Sequence, residues 1–168
     1  MIKSVIWTVV FSFIAAILQS TILRHLAYLP DLALVIIVFS AYVNGPMVGQ
    51  LSGFFSGFLL DILSAAPPGL NNFIRTLTGF LTGLLKGRFF LDAFMLPMVL
   101  CACATLFKAV ILFFLNLILP HAIPAYSFVT PVLWAELALN SIFAPFLFGF
   151  LKRFQPLRSD LKHSWRNK

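Results

Sequence analysis

Charge is what this chain has least of. Of its 168 residues, 10% are charged and only five are acidic, while 61% are hydrophobic. A soluble domain is roughly half apolar and about a quarter charged, so the composition excludes a water-covered surface and requires lipid around much of the fold. Cysteine is nearly absent too. Cys101 and Cys103 stand two apart in an apolar run, where a helix turns their side chains about 200° from each other. That spacing argues against a disulfide or a metal pair and for small packing residues. No Walker lysine loop, nucleophile elbow or H-E-x-x-H segment occurs. His25, His121 and His163 are scattered, so no histidine metal site, cofactor or catalytic residue is expected, and the chain is expected not to be an enzyme.

The formal net charge of +7 raises nucleic acid as a partner, and the placement of the basic residues argues against it. Six of the twelve lie among residues 152–168, directly after the last apolar run. Lys and Arg resist translocation and attract anionic lipid, so such a cluster marks a cytoplasmic end. Membrane lipid is therefore the expected partner of the tail.

Six spans are expected, at about 4–23, 31–44, 46–61, 70–85, 93–119 and 129–151, followed by a basic tail over 152–168. The first has Lys3 before an apolar run, as a signal peptide does, but lacks a convincing small-x-small cleavage site; it is read as an uncleaved anchor. Asn44-Gly45-Pro46 has the chemistry of a turn and divides an otherwise long apolar run into two short helices. This division puts Lys3, Lys86, Arg88 and the tail on one side, with both termini cytoplasmic and Arg24 in an outer loop. The short spans must tilt little, thin the bilayer or be shielded by neighbouring helices.

Two ladders of glycine stand out. Gly45, Gly49, Gly53 and Gly57 are four apart and lead to Asp61 at the same spacing; Arg75, Gly79, Gly83 and Gly87 repeat the step on the following helix. Small residues four apart form a groove that lets another helix backbone approach closely, so these glycines are candidates for helix packing or a partner interface. On that reading Gly53→Leu or Gly79→Leu blocks assembly with a partner and spares insertion.

Isolated charges in lipid cost about 2.5–3.5 kcal/mol each, so ionisable residues within spans need partners. Asp61 and Arg75 end and begin the two stripes with thirteen residues between them and are expected to pair across the hairpin, with a charge swap restoring the pair. Lys108 and Glu136, in the fifth and sixth spans, are expected to pair likewise, with a proton or ion path as the functional alternative.

Leu29-Pro30-Asp31-Leu32, the run from Gly49 to Asp61 (GQLSGFFSGFLLD), Gly69-Leu70-Asn71 and Leu77-Thr78-Gly79-Phe80-Leu81-Thr82-Gly83 together resemble the rod shape-determining MreD family over nearly the whole chain. The resemblance implies a non-enzymatic scaffold in the bacterial cytoplasmic membrane. It also implies binding to MreC and work beside RodA, a class B transpeptidase and MreB in the complex that builds the lateral wall. It further implies an all-α fold of six transmembrane helices, similar to the substrate-binding subunits of energy-coupling-factor transporters. Those subunits keep a ligand pocket, which makes a small-molecule transporter subunit the second reading. They often carry an alanine ladder on the first helix, whereas here Gln19 follows Ala15 and Ser20 follows Ala16 at that spacing.

Overall fold

A computed structural model of the chain describes residues 1–21, 29–64, 67–88, 94–120, 131–154 and 157. Within them the fold is all-helical: α1 (Ile2–Thr21), α2 (Leu32–Asn44), α3 (Pro46–Leu63), α4 (Leu70–Leu84), α5 (Met95–Ile118) and α6 (Pro131–Lys152). Four of these, α1, α3, α5 and α6, are long and apolar enough to cross a membrane. The end of the bundle holding Met1, the α2–α3 turn and Lys152 is termed proximal; the end holding Thr21, the α3–α4 connection and Pro131 is termed distal.

Solvent preference is inverted relative to a water-soluble protein. Phe54, Phe55, Phe58, Phe113, Phe114, Phe143, Phe146 and Phe150 are exposed, while Ser4, Thr8, Ser12, Ser40, Ser52, Ser56, Thr78 and Thr105 are buried. Apolar bulk facing out and small polar groups facing in is the arrangement lipid selects, because hydrocarbon gives no reward for hiding Phe.

α2 has only 13 residues, about 20 Å of helix, too short to cross hydrocarbon alone. It is apolar all round and lies at the centre, with Ala33, Ile37, Val38, Phe39 and Ala41 fully buried. Helices uniformly apolar around their circumference belong inside a bundle. Here Leu34, Val35, Val38 and Phe39 pack with Leu100, Cys101 and Ala104 of α5 and with Ala144, Phe148 and Leu151 of α6. The Phe39 and Phe148 rings meet edge-on at 5.1 Å. Its neighbours therefore shield the short helix from lipid.

At the proximal end Gly45 takes φ 100°, a conformation that strains any residue with a Cβ, and Pro46 opens α3 where no helical N–H partner is needed. α3 continues to Leu63, past the expected stop at Asp61, and its continuation keeps the Asp61 carboxylate on a helix rather than in a loop. α6 begins at Pro131, a favoured first helical residue, and ends with Lys152 in its last turn. Of the expected tail, Leu157 is buried and its carbonyl accepts a 2.7 Å hydrogen bond from Asn44 Nδ2, tying this point to the end of α2. The remaining tail residues from 158, together with His25, His121, Arg24 and Asp92, lie outside the described residues.

Candidate functional site

The glycine ladders of α3 and α4 are spent on each other. A Cβ added at Gly53 would run into the backbone carbonyl of Arg75, one at Gly57 would lie 2.7 Å from the Asn71 carbonyl oxygen, and those at Gly49 and Gly79 would each strike the other glycine's backbone. Gly83 meets the backbone of Pro46 in the same way. The two helices thus cross antiparallel, backbone against backbone, and these five glycines present no open groove to a partner. Gly45 and Gly87 differ: both occupy positive φ in turns, and a Cβ at Gly87 would meet nothing within 4 Å.

That register decides the fate of Asp61. Gly53 stands at the level of Arg75 and Gly57 at the level of Asn72, so Asp61, eight residues beyond Gly53, lies about 12 Å further along α3. There it reaches the start of α4. Its Oδ2 accepts from the N–H groups of Gly69 (3.0 Å) and Asn72 (3.1 Å), and its Oδ1 from Asn71 N–H (2.9 Å). Three helix-end donors left without helical partners are satisfied by one carboxylate held at the positive end of the helix dipole. Gly69 itself adopts a left-handed conformation at φ 89°, which folds the connection back over Asp61. The expected Asp61–Arg75 pair is therefore corrected: Asp61 caps α4, and Arg75 turns elsewhere.

Arg75 pairs with Asp31. Its Nη2 lies 2.8 Å from Asp31 Oδ1 and 3.1 Å from Oδ2. Lys108 Nζ donates both to Asp31 Oδ2 at 3.1 Å and to Glu136 Oε1 at 2.6 Å. Four side chains from four places in the sequence form one chain of charge, Arg75–Asp31–Lys108–Glu136, with side-chain exposures of 7, 13, 20 and 11% respectively. Lys108 thus faces Glu136 across the α5–α6 hairpin and is shared with a second anion that the sequence reading did not assign.

Asp31 is the hub. As N-cap of α2 it accepts a 3.0 Å hydrogen bond from Leu34 N–H, so the helix end holds its carboxylate in place. Its own backbone N–H donates to Asn140 Oδ1 at 2.7 Å; Asn140 Nδ2 donates to Thr105 Oγ1 at 2.9 Å, and Thr105 donates to the Cys101 carbonyl. Gln19 of α1 hydrogen-bonds the Pro30 carbonyl next door. Asp31, Asn140, Thr105 and Gln19 were not expected site residues. Helical spacing held a signal for two of them: Thr105 and Lys108 are three apart on α5, and Glu136 and Asn140 four apart on α6, so each pair shares a face.

The network forms the floor of a distal cleft of about 440 Å³. Ala16, Ile17, Gln19 and Ser20 of α1 form one wall, Leu60, Leu63 and Ser64 the opposite one, and Asp31, Arg75, Lys108 and Glu136 lie beneath. Arg75 Nη1 is fully buried and has no hydrogen-bond partner among the described residues. Such an arrangement can bind and orient a guest. No group of three His, Cys, Asp or Glu able to hold a metal ion occurs among the described residues.

A family model described as rod shape-determining protein MreD matches residues 1–154. No curated protein and no solved structure matches the chain. The match spans all six helices and the charge network they position, and the chain belongs to the MreD family of rod shape-determining membrane proteins.

Proposed function

We propose that this chain is a non-enzymatic scaffold of the cell-wall elongation complex, set in the bacterial cytoplasmic membrane with both termini cytoplasmic, and that it holds MreC in its distal cleft. In this orientation the cleft opens on the outer face, where MreC would link it to RodA and a class B transpeptidase, while the proximal end faces MreB. The cleft carries the reading: it is a concave surface, walled largely by aliphatic side chains and floored by a hydrogen-bonded charge network. Convergent polar groups in an apolar hollow are what recognition needs. Because the five close-packed glycines are consumed inside the fold, they support the scaffold by shaping the cleft rather than by meeting the partner.

The second reading, a substrate-binding transporter subunit with the six-helix fold of energy-coupling-factor systems, draws on the same cleft, whose size suits a small molecule. Co-purification from gently solubilised native membranes separates the two. MreC should be recovered with the tagged wild-type chain and lost with Leu63→Trp, which fills the cleft mouth, while Phe146→Trp on the lipid-facing side of α6 leaves recovery unchanged. Equal recovery with Leu63→Trp overturns docking in the cleft; an ATP-hydrolysing module carrying a bound small molecule replaces the scaffold with the transporter.

A further inference from the structure

A second hollow, of about 510 Å³, lies between the proximal halves of α1 and α3, and every residue lining it is apolar. Ile2, Ile6 and Val10 form one edge and Leu51, Phe55 and Leu59 the other, each set four residues apart and so aligned along its helix. Ile2, Ile6, Val10 and Phe55 are exposed, so this groove opens sideways toward lipid, unlike the distal cleft with its charged floor. Length and volume decide between the two apolar occupants a membrane supplies, a transmembrane helix and an acyl chain. Each edge rises eight residues, about 12 Å of helix, close to the ~15 Å of hydrocarbon in one leaflet, half of a roughly 30 Å core. A partner helix crosses the whole core and is about 10–12 Å wide with its side chains, so the groove is too short for it. A methylene takes up about as much space as a liquid water molecule, ~30 Å³, and 510 Å³ then holds on the order of seventeen, one acyl chain of a phospholipid.

Charge at the open end names the headgroup. Lys3 precedes Ile6 by three residues and Val10 by seven, so it shares their face of α1, and it is exposed at the proximal lip of the groove. Among the described residues, Lys86, Arg88, Lys152 and Arg153 stand at the same end of the bundle, while the three carboxylates, Asp31, Asp61 and Glu136, stand at the distal end. We propose that the proximal α1–α3 groove is a binding site for one anionic phospholipid, with an acyl chain lying between the two edges and the headgroup meeting Lys3. A lysine suits that task because its methylene stem lies along an apolar wall while its ammonium stays in the headgroup layer. The site is independent of what docks in the distal cleft.

The test is native mass spectrometry of the full chain in detergent, equilibrated with equal amounts of dioleoyl phosphatidylglycerol and dioleoyl phosphatidylcholine, with the melting temperature of each variant as the measure of folding. The wild type should retain one phosphatidylglycerol, preferred about fivefold over phosphatidylcholine. Lys3→Gln should hold the two lipids alike, whereas Arg88→Gln, which removes the same charge from another helix end, should keep the preference. Val10→Trp, which fills the groove, should lose the bound lipid of either kind, and Leu63→Trp at the distal cleft should retain it. Equal retention of both lipids by the wild type, or an unchanged preference in Lys3→Gln, overturns the proposal. Undiminished lipid in Val10→Trp puts the lipid elsewhere and overturns it too; the same result with loss of MreC recovery assigns the groove to a partner helix. Should Val10→Trp not fold, Lys3→Gln set against Arg88→Gln alone decides.

Discussion

The α3–α4 seam and the distal charge network meet on α4 at Arg75, and they achieve specificity by opposite means. On the seam, Gly49, Gly53, Gly57, Gly79 and Gly83 offer nothing but the absence of a side chain, and backbone meets backbone. In the network, long ionic side chains reach across from four helices or their caps and leave a hollow above them. Arg75 belongs to both: its carbonyl packs on Gly53 and its guanidinium binds Asp31. Shape alone can fix the depth at which a charge sits, and the charge then ties together the cap of α2, α5 and α6.

The contrast breaks most sharply at the seam. Gly53→Leu should cost at least about 3 kcal/mol, because the helices must separate to admit any side chain, and folded protein should not be recovered in detergent. Gly149→Leu, whose added Cβ meets nothing within 4 Å, should melt with the wild type. Recovery of folded Gly53→Leu that merely fails to bind MreC would return the glycines to the role of partner surface.

In the network, removing one member strands the others. Arg75→Ala should destabilise the fold by about 3–5 kcal/mol by leaving Asp31 short of a buried partner, read as a fall in melting temperature. Exchanging charges between Asp61 and Arg75 should rescue nothing, because register holds the two apart. A rescue by that exchange would contradict the Asp31 pairing.

Smallest is the cap. Asp61→Asn keeps one acceptor oxygen but loses the negative charge beside three N–H groups, costing about 1 kcal/mol. Hydrogen exchange should quicken at Gly69, Asn71 and Asn72 and remain slow at Thr78. Unchanged exchange at those three amides would remove Asp61 from its capping role.

Much of this architecture was legible because it depends on local chemistry. Asn44-Gly45-Pro46 ends one helix and starts another through φ preference and a missing donor, and the four-residue glycine step marks a close-approach surface wherever it occurs on a helix. Pairing Asp61 with Arg75 failed for a different reason. Nearness in sequence favoured residues joined by one connection, whereas Arg75 reaches an anion 44 residues away. Asp31 read as the residue leading into α2, which it is; its cap geometry also aims the carboxylate inward, and that is invisible without α4 and α5 beside it.

Composition by itself determined that lipid surrounds this protein, and spacing determined that α3 and α4 carry close-packing faces, because solvent partition and helical periodicity are properties of residues and their neighbours. Which anion each cation meets, and that one nitrogen of Arg75 is buried without an acceptor among the described residues, were decided only by the tertiary structure. Depth along a crossing of two helices depends on how their backbones interlock, and a change of two turns separates a partner from a cap.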